Sequence, residues 1–360
     1  MGSLSRFSVL YLVLLVAAGC QKKLLGQVDV IDMPVTPRST DRKLSFVGSG
    51  GLTLHGVLTV PAGYVDTDHP GVLILGDGPS TDKDGNHKEA KCDTLKQLAQ
   101  GLAAAGIVTF RFDNRATRAY ADKWPSDITA QRVFFSFNSQ AEDAVAAWHA
   151  FLGTKLVTSR KCAILGHGEG GLIATAITHR IQPQAMCLLG FSARPLLDTV
   201  RDRLVRIRSR AGLSVDRSLA EFEKMAQIVK SSGQINQEFE IGAGGTVEPR
   251  FGLYYKQASS MNTYGLLRQV IVPVLVINGD SDQSINPKVD PARVFAAVKG
   301  NPASKLVTVP LCSHDFKAVQ DEADPGFLGE VVPDVTEALN EFLVPLIGGR
   351  IPDGQTQFHD

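Results

Sequence analysis

The 360-residue sequence predicts an α/β fold with a mostly parallel, doubly wound sheet flanked by helices. Two observations carry this prediction. Short, continuous apolar runs of the kind found in buried strands recur along the chain, and segments with helical periodicity separate them. Strands that alternate with helices imply crossover connections between parallel neighbours. Because 44% of the residues are hydrophobic, the chain can also bury a substantial core.

The predicted elements follow in chain order. Residues 52–60 alternate in part between polar and apolar and end before Pro61, which is typical of an edge strand in a hairpin. The later strands have continuous apolar cores, and a helix precedes or follows each of them. The strands are predicted at residues 71–75, 107–112, 163–165, 185–189 and 272–277, and the helices at 95–105, 141–152 and 172–180.

The alternation breaks between residues 196 and 262, which predicts a helical cap inserted between two strands. The core of the predicted α/β domain then comprises residues 43–195 and 263–348, and residues 349–360 form a tail. Five arginines lie in the first part of the cap: Arg201, Arg203, Arg206, Arg208 and Arg210. They could bind an anionic ligand or form a solvated helix face, and the sequence leaves their role undecided.

The N-terminal residues 1–19 have the pattern of an export signal. Arg6 precedes an apolar stretch shorter than the roughly 20 residues that a spanning helix needs. The sequence VAAGC at residues 16–20 resembles the lipobox of bacterial lipoproteins, which implies lipidation of Cys20 and attachment to the periplasmic face of a membrane. Gln21 favours the outer membrane within that resemblance. Ordinary cleavage, giving a soluble periplasmic or secreted protein, is the alternative. Residues 20–42 read as a polar tether.

Charge and cysteine content limit the classes of partner. The formal net charge is zero, so no basic surface is expected to bind nucleic acid, and the membrane is reached only through the N-terminal lipid. The other four cysteines are Cys92, Cys162, Cys187 and Cys312. Spacing alone does not pair them, and two of them lie in apolar runs typical of buried thiols. No metal-ligand spacing occurs, so no metal or cofactor is expected. Oligomeric state is left open.

A glycine-rich corner at residues 166–171, GHGEGG, follows a predicted strand and opens a predicted helix. It resembles the GHSEGG nucleophile elbow of acyl-esterases with the α/β-hydrolase fold, in which the serine projects from a sharp bend. Gly168 takes the place of that serine, and Gly166, His167 and Gly170 complete the elbow. The resemblance covers residues 43 to 345 approximately and includes segments 76–86, 107–115 and 188–198.

The same resemblance assigns the remaining catalytic positions, in the chain order nucleophile, acid, histidine. Asp282, after the strand at residues 272–277, takes the place of the acid, and His314 that of the base. Asp77, Gly78 and the backbone N–H of Glu169 are assigned to the oxyanion hole. Asp77 stands where the family has serine. A carboxylate there would oppose a developing oxyanion unless its side chain points away from the hole.

The glycine at position 168 decides the expected function, because no acyl-enzyme can form there. Loss of the nucleophile reduces turnover by about 10⁶ in serine hydrolases. The sequence predicts an esterase-lineage protein with severely impaired or absent serine chemistry, which binds a small acyl ester or related molecule under the cap. The alternative is an active ester hydrolase that uses a water activated by His314 and Asp282, or another nucleophile. Whether the protein is an enzyme stays open.

A second class of function uses the same glycines. Gly166, Gly168 and Gly171 form a literal G-x-G-x-x-G after a strand, the pattern that seats a pyrophosphate at a helix N-terminus. That fingerprint expects an acidic residue about 20 positions further on. Residues 190–194 offer Ser192 and Arg194 instead. A dinucleotide-binding protein is therefore the remote alternative.

Overall fold

The centre of the protein is an eight-stranded sheet in the order β1-β2-β4-β3-β5-β6-β9-β10. The computed structural model describes residues 39–63, 68–86, 90–240, 246–321 and 324–350. The strands, including a separate two-stranded ribbon of β7 and β8, are β1 (Thr40–Val47), β2 (Thr53–Val60), β3 (His69–Leu75), β4 (Val108–Phe112), β5 (Val157–His167), β6 (Met186–Leu189), β7 (Phe239–Glu240), β8 (Thr246–Val247), β9 (Val274–Gly279) and β10 (Lys305–Val309).

Six neighbouring strands, from β4 through β3, β5, β6 and β9 to β10, are parallel, and β1 and β2 join them antiparallel. This confirms the predicted mostly parallel sheet. The prediction of an edge strand at residues 52–60 is wrong, because β2 lies between β1 and β4. The true edge strand, β1, begins at Thr40, inside the segment predicted as a tether. Most residues of β1 are exposed and several are charged, so no apolar run marks this strand in the sequence.

Helices cover both faces of the sheet. They are α1 (Thr94–Ala104), α2 (Ile128–Phe134), α3 (Phe137–Gly153), α4 (Gly170–Ile181), α5 (Leu196–Arg210), α6 (Asp216–Ser231), α7 (Gly252–Ser260), α8 (Thr263–Leu267), α9 (Asp290–Val298) and α10 (Pro333–Ile347). One core cluster joins the sheet to α3, α4 and α9, and the other joins it to α1 and α10. Alternate residues of β3 and β5 supply the two clusters, because successive side chains of a strand point to opposite faces.

The segment predicted as a cap, residues 196–262, does interrupt the sheet between β6 and β9. It contains α5, α6, the small β7–β8 ribbon and α7, with residues 241–245 outside the description. Helices α5, α6 and α7 contact one another, and α7 also contacts α3 of the core. Buried Leu204, Phe222 and Tyr254 attach the three helices to the core cluster on that face.

Several predictions fall on residues that the structure does not describe. The signal peptide, the lipidated Cys20 and most of the tether lie within residues 1–38, and most of the tail lies within 351–360. Within the described residues no helix is both long and apolar enough to span a membrane. None of the four cysteines in this part of the chain forms a disulfide, and all four are buried.

Candidate functional site

The candidate site lies where the strand order of the sheet reverses. From β3 the chain crosses through α1 to β4 on one side of β3, and it then returns to place β5 on the other side. In open parallel sheets, ligands bind at the carboxyl ends of the strands beside such a switch point. Asp77 follows the end of β3, and Gly168 follows the end of β5. The topology therefore brings two segments from distant parts of the chain to one crevice.

Gly168 forms the sharp bend between β5 and α4. Its φ is +52°, in the left-handed region that favours glycine. Its N–H donates to the carbonyl of Leu189 on β6 at 2.9 Å, and its carbonyl accepts from the N–H of Gly171. A Cβ built on Gly168 would overlap the carboxylate of Asp77. The space that a nucleophilic side chain would use is therefore already filled.

The carboxylate of Asp77 points into the predicted oxyanion hole. Its Oδ1 accepts from the backbone N–H of Glu169 at 2.7 Å, and its Oδ2 lies 3.2 Å from Nε2 of His314. The condition set by the sequence, that this side chain should point away so that the hole can work, is not met. The carboxylate fits here because Gly168 has no side chain, and because the N–H at the start of α4 attracts a negative charge.

His314 connects two carboxylates. Its Nδ1 lies 2.8 Å from Oδ2 of Asp282, and its Nε2 faces Asp77. The other oxygen of Asp282 accepts from the N–H groups of Ser284 at 2.7 Å and Ile285 at 2.8 Å, which fixes the acid. Gly190, with φ +54°, lets the backbone of the adjacent turn approach the ring. The structure thus brings together the predicted acid, the predicted base and the glycine that stands in the nucleophile position.

The charges of this array follow from its contacts. Burial acts to lower the pKa of His314, but the Asp282 and Asp77 carboxylates outweigh it and hold that pKa well above its ordinary value. Burial acts to raise the pKa of Asp77, yet its hydrogen bond and charge interaction with His314 keep that pKa well below the usual range. At neutral pH the site therefore holds an imidazolium between two carboxylates.

The side chain of Glu169 adds a third acidic group, beside Asp77 and Asp282, to which the sequence assigned no role. Burial, with the nearby charge of Asp77, raises the pKa of Glu169 to about 7. The hydroxyl of Tyr254 on α7 donates to its Oε2 at 2.7 Å. This carboxyl can therefore be charged or neutral near neutral pH, beside the array.

His167 supports the base rather than joining the array. Its Nε2 lies 2.9 Å from the backbone carbonyl of His314, and the two ring centroids are 4.8 Å apart. Burial and the neighbouring charge of His314 lower the pKa of His167. We conclude that this elbow residue is a neutral ring that positions the loop of His314.

The loop that carries Asp77 is fastened to β4. The Nε of Arg111 donates to Asp84 at 3.2 Å, and the N–H of Lys83 donates to Asp113 at 3.0 Å. The hydroxyl of Thr81 donates to the backbone carbonyl of Asp77. Gly78 takes φ +70° at the turn but is not among the residues that line the cleft. The assignment of Gly78 to the oxyanion hole stays a prediction.

A small cleft of about 50 Å³ opens above the array, between the sheet and the cap. Asp77, Gly168, Glu169 and His314 lie on its floor. Its apolar wall consists of Leu172, Phe191, Leu196, Val200 and Ile285, and its other polar lining residues are Ser192, Arg194, Thr199, Arg203 and Ser284. The wall favours a small ligand with an apolar part.

The cap arginines have different surroundings. Arg201 pairs with Glu223 at 2.7 Å, and Arg206 pairs with Asp202 at 2.9 Å. Arg203 lines the cleft, and its buried Nε has no hydrogen-bond partner among the described residues. The helical spacing of the five arginines does not distinguish one from another. The sequence therefore could not identify Arg203 as the arginine that lines the cleft.

A larger cavity, of about 520 Å³, lies near the C-terminal end of α4 and is lined by residues such as Thr178, His179 and Val270. None of the array residues lines it, and it is remote from the carboxyl ends of β3 and β5. This cavity is the larger of the two, but the small cleft contains the histidine and the carboxylates that are typical of a functional site. We place the functional site at the small cleft.

Comparison with known proteins supports the architecture. No protein-family profile and no curated protein sequence matches the chain. Among solved structures, the chain is similar to Est1E from Butyrivibrio proteoclasticus, with a TM-score of 0.54, 18% identity, and coverage of 86% of this chain and 99% of that one. It is also similar to the acylaminoacyl peptidase of Pyrococcus horikoshii, with a TM-score of 0.54, 14% identity, and coverage of 88% and 43%.

An esterase from Pyrococcus furiosus is similar as well, with a TM-score of 0.52, 14% identity, and coverage of 86% of this chain and 92% of that one. These neighbours share the parallel sheet with its flanking helices. The chain has an α/β-hydrolase fold. At these identities the likeness concerns the fold, and the chemistry of the site has to be argued from its own residues.

The dinucleotide alternative finds no support in the hydrolase fold. A Cβ at Gly166 would lie 2.6 Å from the carbonyl oxygen of Gly170, so this glycine serves the close approach of strand and helix. At Gly168 the corner is occupied by the Asp77 carboxylate, which would repel a pyrophosphate. The glycine spacing is accounted for by the packing of the elbow itself.

Proposed function

We propose that this protein is an esterase-lineage α/β-hydrolase that does not carry out serine-type acyl transfer and binds a small molecule in the cleft under its cap. The observation that carries the proposal is the position of Asp77. Its carboxylate fills the place of the missing serine side chain, and it contacts both the base, His314, and the Glu169 N–H assigned to the oxyanion hole.

Two steps of acyl transfer are blocked in this arrangement. No covalent intermediate can form at Gly168, which has no side chain. The N–H of Glu169 that would stabilise a tetrahedral oxyanion already donates to Asp77 at 2.7 Å. Because such donors act by being aimed at developing negative charge, a resident carboxylate opposes the transition state. The proposed loss of serine chemistry therefore has two independent causes.

The alternative of a water activated by His314 and Asp282 meets two obstacles. The volume that such a water would occupy beside Gly168 contains the Asp77 carboxylate. His314 is also protonated at neutral pH, because the two carboxylates raise its pKa well above the ordinary value. An imidazolium cannot accept a proton from water. Slow ester hydrolysis by this route is expected only at a pH above the raised pKa.

The proposal also includes the location of the protein. We propose that the mature protein is exported and anchored through a lipid on Cys20 at the periplasmic face of a membrane, with the outer membrane favoured. Incorporation of labelled palmitate, lost in Cys20→Ala, would support the anchor. Release of the unlabelled parent into the soluble periplasmic or extracellular fraction would favour the alternative of ordinary cleavage.

Ester hydrolysis tests the proposal most directly. We would compare the parent, Gly168→Ser, Asp77→Ser and the double variant on p-nitrophenyl acetate and butyrate. The parent and Gly168→Ser should be inert, because Asp77 blocks the new serine. The double variant should gain activity, because it restores both the nucleophile and a free oxyanion donor.

The matched control is Asp122→Asn, which removes an exposed carboxylate that pairs with Lys123 and does not line the cleft. Ester hydrolysis by the parent that survives Asp77→Ser but is lost in His314→Ala would contradict the proposal. It would show that a histidine-activated water, or a nucleophile other than Asp77, performs acyl transfer.

A further inference from the structure

One arginine that lines the cleft forms no ion pair within the described residues. Two arginines lie on the cleft wall, Arg194 and Arg203. The guanidinium of Arg194 donates twice to the buried carboxylate of Asp290, at 2.7 Å in each case. The Nε of Arg203, in contrast, is buried and has no hydrogen-bond partner in the described part of the chain. Buried donors in folded proteins are nearly always bonded, because water solvates them in the unfolded chain. Arg203 is therefore a donor that a ligand in the cleft can use.

Three other polar residues of the cleft wall bond to one another and to Asp290. The hydroxyl of Thr199 donates to the hydroxyl of Ser192 at 3.1 Å, and that hydroxyl donates to Asp290 at 2.7 Å. The backbone N–H of Arg194 also donates to the Ser192 hydroxyl at 3.1 Å. These groups stabilise a carboxylate that is fully buried. Their hydrogen-bonding capacity is used within the protein, so they offer a ligand less than Arg203 does.

Arg203 lies at one end of the face that α5 presents to the cleft. Leu196, Thr199, Val200 and Arg203 all line the cleft, and their spacing of three and four residues places them on one side of the helix. The backbones of Leu196 and Arg203 are separated by about 10 Å along the helix axis, because each residue adds about 1.5 Å. This face therefore combines a mainly apolar surface with a positive charge at one end. It matches a ligand that has an apolar tail and an anionic head.

We propose that Arg203 binds the carboxylate of a small monocarboxylic acid whose apolar tail packs against the cleft wall under the cap. The inference rests on the proposed function in one respect, because it names the class of small molecule that the cleft binds. It also gives a ligand-binding role to one of the five cap arginines, whose role the sequence left undecided.

The charges around the cleft favour a ligand with a single negative charge. Arg203 supplies one positive charge, whereas Asp77 and Glu169 place acidic groups on the floor. A second negative charge on the ligand would be repelled by the Asp77 carboxylate, so a phosphate monoester fits less well than a carboxylate. The shape of the guanidinium agrees with this choice. Its Nε and a terminal nitrogen form a planar edge that donates to both oxygens of a carboxylate.

The apolar wall accounts for the tail of the acid. Leu172, Phe191, Leu196, Val200 and Ile285 offer aliphatic and aromatic surface to it. Each CH₂ group that the tail buries there should tighten binding by about fourfold. The cleft volume of about 50 Å³ limits this gain to a short tail. Affinity should therefore rise from acetate through butyrate to hexanoate.

Calorimetric titration of the parent tests the inference without a variant. We would titrate the full mature chain with hexanoate, with the neutral analogue hexanamide and with butyl phosphate. Hexanoate should bind about tenfold or more tightly than hexanamide, because hydrogen bonds between charged groups are stronger than neutral ones. Butyl phosphate should bind more weakly than hexanoate. Equal binding of hexanoate and hexanamide, or tighter binding of butyl phosphate, would overturn the inference.

Variants of Arg203 locate the binding group. Arg203→Gln should weaken hexanoate binding by about tenfold or more and leave hexanamide binding unchanged. Arg203→Lys should recover part of the affinity, because it keeps the charge but loses the planar pair of donors. The matched control is Arg201→Gln, which removes an exposed arginine of the same helix that pairs with Glu223 and does not line the cleft. It should bind hexanoate like the parent.

An NMR measurement on the parent locates the contact even if Arg203→Gln does not fold. The Nε–H resonance of Arg203, assigned by its absence from Arg203→Lys, should shift when hexanoate is added and stay in place with hexanamide. Unchanged hexanoate affinity in Arg203→Gln, or an Nε–H resonance that ignores hexanoate, would overturn the inference. Arg203 would then act only on the charge of Glu169, whose pKa it lowers.

The outcomes separate this inference from the proposed function. If no monocarboxylate binds, while the parent is inert toward esters and the double variant Asp77→Ser/Gly168→Ser gains esterase activity, the inference fails and the absence of serine chemistry stands. Failure of the proposed function has another signature, namely ester hydrolysis by the parent that survives Asp77→Ser.

Discussion

Two ion pairs within the described residues differ in how many of their polar atoms are already bonded. Arg115 and Asp143 are each 2% exposed and share two hydrogen bonds of 2.6 Å. The guanidinium also donates to the carbonyls of Phe134 and Ser49, and the carboxylate also accepts from the Ser49 N–H. This pair is closed on every side, and it ties β4 to α3.

The pair of Asp77 and His314 is equally well connected to the protein but stays open to the cleft. His314 is 9% exposed, whereas Asp77 is 36% exposed. Burial raises the pKa of Asp143 even with Arg115 attached, while contact with His314 holds the pKa of Asp77 low. The comparison teaches that a saturated pair stabilises the fold, whereas a pair with one accessible carboxylate can act on a ligand.

The largest expected effect is on the closed pair. Asp143→Asn leaves a buried guanidinium without its counter-charge, so the free energy of unfolding should fall by about 3–5 kcal/mol. Urea denaturation followed by circular dichroism measures it. The control is Glu142→Gln, which breaks the exposed pair with Arg180 and should change stability by less than about 1 kcal/mol. Equal losses in both variants would remove the distinction between closed and exposed pairs.

An intermediate effect is expected at the elbow. Gly168→Ala places a side chain at φ +52° and against the Asp77 carboxylate. The strained backbone should lower the free energy of unfolding by about 1–3 kcal/mol. Adding Asp77→Ser should recover part of the loss, because the overlap is relieved while the strain remains. Thermal denaturation of the parent, Gly168→Ala and Gly168→Ala/Asp77→Ser measures both effects. If Gly168→Ala is as stable as the parent, the loop that carries Asp77 moves without cost and the prediction is wrong.

The smallest effect on stability, but a direct one on charge, is expected for Asp77→Asn. Removing this carboxylate should lower the pKa of His314 toward its ordinary value, although Asp282 still acts on it. Titration of the ring protons by NMR measures the shift. An unchanged His314 pKa would mean that Asp282 alone raises it. The contact between Asp77 and His314 would then make no electrostatic contribution to the protonation of the ring.

The same pair predicts how stability depends on pH. The raised pKa of His314 stabilises the fold fully below the unfolded histidine value of about 6.5, and this contribution is lost as pH rises through the folded pKa. The lowered pKa of Asp77 stabilises the fold above about pH 3.9, and this contribution is lost as pH falls through the folded value. Parent and Asp77→Asn should therefore differ most between about pH 4 and 6.5, as thermal denaturation would show.

Local sequence patterns determine much of the secondary structure and fold class of this protein. Apolar runs and helical periodicity are local, so the parallel sheet, the elbow and the interrupted order of strands were predictable. Asp282 and His314 were assigned through the resemblance to the esterase family, which fixes the chain order of nucleophile, acid and histidine. Asp282 also follows the predicted strand at residues 272–277. The edge strand β1 was missed because its charged, exposed residues carry no apolar run.

The direction of the Asp77 side chain, the exposure of Arg203 to the cleft and the contact of Tyr254 with Glu169 were decided by the tertiary structure. Each depends on which empty space, charge or hydroxyl a distant segment brings nearby. A glycine in the sequence reports only a missing side chain. What fills the space is settled when the ends of β3 and β5 meet, because the carboxylate of Asp77 then finds both a free N–H and a protonated ring.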